Sequence, residues 1–327
     1  MANLSTSYMG LELKKPIIIA SSGLTDSADK IVELEKNGAA AVVLKSLFEE
    51  QILMDIDEQR ANNMYDSFSE TENYIGYYTK KHTVEEYLQL IKDAKAKTSI
   101  PIIASINCVS AYEWTEFATK IQDAGADALE LNAFIMPSDD KVLGCNTEEV
   151  YFDIINKVKK KISIPISLKI SFYFSGMANF AVELSKTGIA SLVLFNRFYR
   201  PDIDLDKLTI TSAHIYSTPE ENAMVLRWIG ILAGKVSCDI AATTGIHDGK
   251  TVIKNLLVGA NVVQISSVVY EKGPEVIQTM LDEMSTWLDA KKFGSVPEII
   301  GKLKQSELAK PMIYERAQFM KYFSDAR

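Results

Sequence analysis

Cysteine is scarce in this chain. Cys108, Cys145 and Cys238 are the whole complement, with no CxxC pair and no metal-ligand spacing. That excludes a disulfide framework and points to a reducing, cytoplasmic compartment. The three histidines, His82, His214 and His247, are likewise not spaced as metal ligands, so no metal is expected. Positive charge is not in excess. The 35 Lys and Arg residues against 43 Asp and Glu give a net charge of −8, and the lysines are interleaved with acids, as over Asp93–Lys97. A nucleic-acid partner, which needs clustered cations, is therefore not expected. No apolar run reaches the ~18 residues that would span a bilayer, and the start Met-Ala-Asn-Leu-Ser lacks the basic and apolar regions of a signal peptide, so no membrane association is expected. A P-loop, an HExxH helix, a nucleophile elbow and the kinase motifs are all missing.

What is present is alternation. Eight short, mostly β-branched runs recur: Pro16–Ala20, Ala40–Lys45, Pro101–Ile106, Asp127–Asn132, Pro165–Ile170, Ala190–Phe195, Val236–Ala241 and Asn261–Ser266. Most are continuously apolar, the pattern of strands covered on both faces, which predicts a parallel sheet. Between them lie amphipathic segments: Asp29–Asn37, Val84–Lys97, Tyr112–Ala124, Glu148–Lys161, Gly176–Thr187, Glu220–Ala233, Gly249–Val258 and Pro274–Leu288. Gly38, Gly125, Gly188 and Gly259 follow four of them, where a left-handed C-cap is needed. Eight strands alternating with eight helices predict an α/β fold, a single TIM (β/α)8 barrel over residues 1–327. The competing doubly wound sheet would carry a glycine-rich turn after its first strand, and Ser21-Ser22-Gly23-Leu24 stands there instead. The first fifteen residues, with Met9-Gly10 at a turn, are expected to form a small hairpin under the barrel. Two long insertions, Phe48–His82 and 197–218, leave the C-terminal ends of strands, where lids and substrate walls sit. The second carries Arg197, Tyr199, Arg200 and His214.

Chemistry-bearing residues collect at the same ends. Lys45 closes Ala-Val-Val-Leu and Lys169 closes Pro-Ile-Ser-Leu. An unpaired ammonium cannot sit inside an apolar barrel, but at its mouth it can face an anionic ligand. One such lysine is as well explained by an internal ion pair; two on separate strands favour a ligand. Asn107, Asn132 and Asn196 also stand at strand ends, offering a donor and an acceptor in one plane, as the imide edge of a flavin or pyrimidine requires. Singly, each could be a cap or turn residue. After the seventh strand comes Thr243-Thr244-Gly245-Ile246, and the eighth ends in Ser266-Ser267. Barrels commonly bind phosphate through these two loops.

The chain resembles the dihydroorotate dehydrogenases and, more loosely, the FMN barrel of dihydropyrimidine dehydrogenases. The resemblance rests on Pro16–Gly23, Pro101–Ile106, Ala124–Asn132, Pro165–Lys169, Thr244–Gly249 and Val258–Ile265, in order along nearly the whole chain. It implies FMN as cofactor, with contacts at Ala20, Ser21, Gly23, Lys45, Asn107, Asn132 and Lys169. Phosphate contacts fall on Thr244, Gly245, Ser266 and Ser267. Lys45 would touch both flavin and substrate, and Asn132 and Asn196 would hold a pyrimidine; Arg197 beside them is foreign to the family pattern but is a candidate to pair with a substrate carboxylate. The implied reaction is dihydroorotate to orotate, in pyrimidine biosynthesis. An unidentified electron acceptor would reoxidise the flavin, and a homodimer is an expected state. The chain departs from the family pattern at the catalytic base. A Cys or Ser belongs three residues beyond the strand-four asparagine, but Asn132 is followed by Ala-Phe-Ile-Met-Pro. Ser138, Asp139, Asp140 and Cys145 are the nearby groups able to take a proton, and Cys145 and Ser138 join Lys45 as catalytic candidates. Two alternatives stay open: a flavoenzyme acting on another dihydropyrimidine or an unsaturated carbonyl compound, and a non-catalytic barrel that binds a phosphate-bearing ligand.

Overall fold

A computed structural model describes residues 2–53, 84–111, 113–197, 200–212 and 214–315. The insertion expected over Phe48–His82 lies largely outside them, as does Tyr199.

Two short strands open the chain, β1 (Thr6–Tyr8) and β2 (Leu11–Leu13), paired antiparallel through the Met9-Gly10 turn. The barrel strands follow: β3 (Ile17–Ile19), β4 (Ala41–Val43), β6 (Ile102–Cys108), β7 (Ala128–Ala133), β8 (Ile166–Ile170), β9 (Ser191–Leu194), β12 (Asp239–Thr243) and β13 (Val262–Ile265). All pair in parallel, in the order β4-β3-β13-β12-β9-β8-β7-β6, and a β4–β6 pairing closes the ring. The short β5 (Leu47–Phe48) extends β6 at its upper end. The N-terminal hairpin and seven of the eight strands stand where they were expected, and the seventh strand begins three residues later than its apolar run, at Asp239.

The barrel has two apolar layers, which explains why the strands do not alternate with polar residues. Ile17, Ile19, Val42, Leu129 and Leu168 face outward into the helix ring, while Ile18, Ala41, Val43, Ile103 and Ala128 face the barrel interior. Both sets are buried, and each large aliphatic contributes about 1.5–3 kcal/mol. Tyr8, Met9 and Leu13 of the hairpin join the interior set and plug the bottom of the barrel. The Met9 amide donates to the Asp239 carboxylate at 2.7 Å, fixing the plug to β12.

The helices are α1 (Ala28–Lys36), α2 (Val84–Lys97), α3 (Phe117–Asp123), α4 (Gly144–Lys159), α5 (Met177–Lys186), α6 (Asn222–Leu232), α7 (Gly249–Val258), α8 (Ser267–Lys272) and α9 (Val276–Lys291). Side-chain caps start several of them. The Asp248 carboxylate, for example, accepts from the Thr251 amide at 2.7 Å ahead of α7. Gly259 ends α7 at φ +120°, where an added Cβ would lie 2.3 Å from the Ala233 Cβ, so conformation and close packing both demand glycine.

The periodicity did not reveal two elements. Residues 197–218 contain a hairpin, β10 (Pro201–Asp204) with β11 (Thr209–Ser212), almost wholly exposed. Neither face of it is buried, so no period-2 signal marks it. The short helix α8 directly follows β13 and is too brief for a 3.6-residue period to show.

Candidate functional site

Strand register brings the polar residues together. Asn107, Asn132 and Lys169 are paired across β6, β7 and β8, so they form one row at the upper end of the sheet. Two residues lower, Ser105, Glu130, Ser167 and Ser191 form a second row, all fully buried. The barrel is thus apolar at its floor, polar in the middle and cationic at the mouth.

Lys169 reaches up from this stack. Its side chain is 10% exposed, and its closest anionic partner is the Glu130 carboxylate, 4.0 Å away. Glu130 is held from the other side by Gln264 Nε2 at 2.7 Å. At 4.0 Å the ammonium makes no proper hydrogen bond to Glu130. It keeps donor capacity for a ligand in the cavity it borders. Asn196 Nδ2 donates to Asn132 Oδ1 at 2.7 Å, which leaves the Asn132 amide hydrogens and the Asn196 carbonyl oxygen for a planar ligand edge. Ser21, Ser46 and Ser105 form a hydroxyl chain at 2.9 and 2.8 Å beneath the same mouth. Tyr87 closes it: its hydroxyl accepts from the Ser105 amide at 2.7 Å and donates to the Ser105 carbonyl at 3.0 Å. Burial pushes the Tyr87 phenol far above its ordinary range, so it serves as a fixed neutral hydroxyl.

The other end of the cavity is the turn after β12. Thr244 and Gly245 both have positive φ, +80° and +73°. For a β-branched residue this is a strained conformation of order ~1–3 kcal/mol, sustained by its surroundings. The surroundings are visible: Asn222 Nδ2 donates to the Thr244 carbonyl at 3.1 Å, and Asn255 Nδ2 donates to Asn222 Oδ1 at 3.1 Å. A Cβ on Gly245 would lie 2.5 Å from the Asn222 nitrogen, so the turn is pressed onto the start of α6. Beside it, the Ser217 amide donates to Ser267 Oγ at 3.0 Å, and the Gly245 amide donates to Ser217 Oγ at 3.3 Å.

One cavity is bordered by ten of the residues singled out from the sequence: Ala20, Ser21, Asn132, Lys169, Asn196, Arg197, Thr244, Gly245, Ser266 and Ser267. Gly23, Lys45, Asn107, Ser138 and Cys145 are not in its lining. Lys45 is half-buried and precedes Ser46, which contacts the lining residue Ser21. Asn107 sits in the row with Asn132. Gly23 packs against α8, where an added Cβ would meet the Tyr270 hydroxyl at 2.9 Å. Ser138 is exposed in the loop after β7. Cys145 is exposed in the first turn of α4, with its thiol 3.4 Å from Asn146 Oδ1. Arg197 borders the cavity, yet its guanidinium is engaged within the chain. It binds the Glu221 carboxylate and the carbonyls of His214, Ile215 and Tyr216, at 2.8 to 3.4 Å. The carboxylate it pairs with in this structure is thus the chain's own.

Sequence reasoning missed Gln264, Ser217 and Asn222. Gln264 carries a readable signal, a lone amide inside Val-Val-Gln-Ile. Ser217 and Asn222 carry none, because their role depends on which turn they meet.

The donor set suits a phosphate-bearing flavin. Lys169, with no hydrogen bond among the described contacts, stands in one row with Asn107 and Asn132, and the tight turn with the Ser266-Ser267 hydroxyls lies at the opposite end. A model of the dihydroorotate dehydrogenase family matches residues 3–288. Similar proteins include the catalytic subunit of dihydroorotate dehydrogenase B (NAD(+)) of Thermoplasma acidophilum, 27% identical over 307 residues, covering 92% of this chain and 99% of the relative. The protein of that name from Thermoplasma volcanium is 26% identical over 316 residues, covering 92% and 98%. The one from Methanothermobacter thermautotrophicus is 25% identical over 314 residues, covering 91% and 97%. With a closed parallel barrel, a polar mouth and a family match across most of its length, the chain belongs to the dihydroorotate dehydrogenase family.

Proposed function

We propose that the protein is an FMN-dependent oxidoreductase that converts dihydroorotate to orotate, acting on a CH–CH bond in pyrimidine biosynthesis. The observation that carries this is Lys169, a nearly buried ammonium with free donors at the mouth of the barrel. When bound, the flavin supplies a hydride acceptor for this oxidation. The chain's own residues do the rest. Lys169 supplies a fixed positive charge where reduction develops negative charge, in a pocket where that charge is poorly screened. Lys45 and Asn107 extend this edge, Ala20 and Ser21 form the wall nearest β3, and Gly23 lets the chain behind that wall pack against α8. Thr244, Gly245, Ser266 and Ser267 hold the phosphate end. Asn132 and Asn196 fix the pyrimidine in one orientation, assisted by Arg197 as it frames the 214–216 segment. Proton removal from the substrate is assigned to the loop after β7, with Ser138 as its candidate, and Cys145, exposed in the first turn of α4, is given no part in it. Because several relatives are named as catalytic subunits, we include an electron-accepting partner subunit in the proposal. A homodimer is proposed from the family resemblance.

The test is spectroscopic. Purified protein should show flavin absorption, and anaerobic dihydroorotate should bleach it. Protein that neither carries nor takes up FMN would sink the flavin reading. Flavin that stays oxidised under excess dihydroorotate would sink the substrate assignment alone.

A further inference from the structure

Behind the phosphate end of the cavity lies a relay of three side chains. Ser217 Oγ is 3.3 Å from His247 Nε2, and His247 Nδ1 is 3.4 Å from the Glu271 carboxylate. Ser217 borders the cavity and is 6% exposed; the imidazole is 11% exposed. The three come from separate places: the end of the 197–218 insertion, the turn after β12, and α8.

We propose that Ser217, His247 and Glu271 form a proton-switched clamp on the cofactor phosphate, in which protonation of His247 turns the Ser217 hydroxyl from the imidazole toward the phosphate. This rests on the reading of the cavity as a site for a phosphate-bearing flavin.

A serine hydroxyl has one hydrogen to donate and two lone pairs to accept with. The Gly245 amide already occupies one lone pair of Ser217 Oγ. With the Glu271 carboxylate 3.4 Å from Nδ1, the neutral tautomer that carries its hydrogen on Nδ1 is the electrostatically favoured one, and it presents Nε2 to Ser217 as an acceptor. The Ser217 hydrogen is then committed to Nε2 and cannot reach a ligand. Protonation adds a hydrogen at Nε2, which donates to the second lone pair of Ser217 Oγ. The hydroxyl hydrogen is released and points into the cavity, where it can donate to a phosphate oxygen. No atom has to move by more than a hydroxyl rotation.

Carboxylates border the imidazole. Glu271 faces the imidazole from α8, and the Glu220 carboxyl, in the turn ahead of α6, is held below its usual range chiefly by hydrogen bonds from its own backbone amide and the Thr218 side chain, with His247 as a smaller contributor. The remaining acids nearby are occupied. Asp248, next in sequence, is turned to Thr251 at 2.7 Å, and Glu283 of α9 accepts from the Gly249 amide at 2.8 Å. The imidazolium therefore has a carboxylate partner in place and no cation against it among the described contacts. Histidine is the side chain whose charge ordinarily changes between about pH 5 and 8.

The experiment compares FMN with riboflavin, which lacks the phosphate, as ligands of flavin-free protein, read by flavin fluorescence quenching. The quantity of interest is the preference for FMN over riboflavin. In the wild type it should rise about tenfold between about pH 8.5 and pH 6.5, the worth of one charge-assisted hydrogen bond, in a range where the phosphate monoester stays mostly dianionic. H247Q should flatten the profile, and S217A should hold the preference at its alkaline value throughout. Riboflavin affinity reports whether each variant is folded, and the wild-type profile stands without them. A wild-type preference that does not change with pH, or one whose slope H247Q leaves intact, overturns the clamp. Equal affinity for FMN and riboflavin at every pH overturns the phosphate site itself, which separates the two failures.

Discussion

Replacing Lys169 with Met puts the buried centre of the barrel to a quantitative test. The Lys169 ammonium and Glu130 carboxylate are 4.0 Å apart, with side chains 10% and 0% exposed. Two unit charges at that separation attract by about 4 kcal/mol at an effective dielectric of about 20. Removing the lysine leaves Glu130 buried with Gln264 as its one charge-stabilising partner among the described contacts, and stranding a buried charge costs about 3–5 kcal/mol. For a chain of 327 residues, an unfolding entropy of about 2.1 cal/mol/K per residue turns 4 kcal/mol into roughly 6 °C of melting temperature. The double variant E130Q/K169M removes both charges. Gln264 can still donate to the amide oxygen at position 130, so most of the loss should return, leaving the double variant within about 2 °C of the wild type. Differential scanning fluorimetry of the flavin-free protein reads both variants. The reasoning fails if K169M melts within about 1 °C of the wild type, or if the double variant is no better than K169M.

Further outcomes follow from the turn, the insertion and the loop after β7. Gly245→Ala should cost about 1–3 kcal/mol and weaken FMN retention, because φ is +73° and the new Cβ would lie 2.5 Å from the Asn222 nitrogen; unchanged stability and retention would refute the close packing. Arg197→Ala should speed hydrogen exchange over residues 214–216, whose carbonyls the guanidinium ties down; unaltered exchange would show that the segment stands without it. Glu221 adds a pH signature. Its partial burial works to raise the carboxyl, but the hydrogen bonds from Arg197 and the Thr218 amide, with the charges of Arg197 and Arg200, hold it below the usual 4.5. A depressed carboxyl stabilises above its unfolded value and loses that contribution as pH falls through the folded one. Protection of the segment should therefore decline below pH 4.5 in the wild type, and a flat profile would refute it. Cys145→Ala should leave the rate of flavin reduction by dihydroorotate within about twofold, since the thiol is exposed and outside the cavity lining, whereas a loss of tenfold or more would mark the thiol as the base.

Much of the site was legible in the sequence because a barrel forces it. Every strand delivers its C-terminal residue to the same rim, so Lys169, Asn132, Asn196, Thr244 and Ser266 had to converge once eight strands were counted. The same count placed the strands, because a sheet buried on both faces writes continuous apolar runs into each of them. The relation of Lys169 to Glu130 and Gln264 could not be read this way. Those residues are 39 and 134 positions from one another along β7, β8 and β13, and only strand register sets them within reach. Tertiary structure also decided where Arg197 spends its hydrogen bonds and that Cys145 faces solvent, since both depend on loops whose course no periodicity encodes. The fold and the mouth of the site follow from local pattern and the geometry of closure; the partners of each charged group are long-range contacts, and those only the folded chain selects.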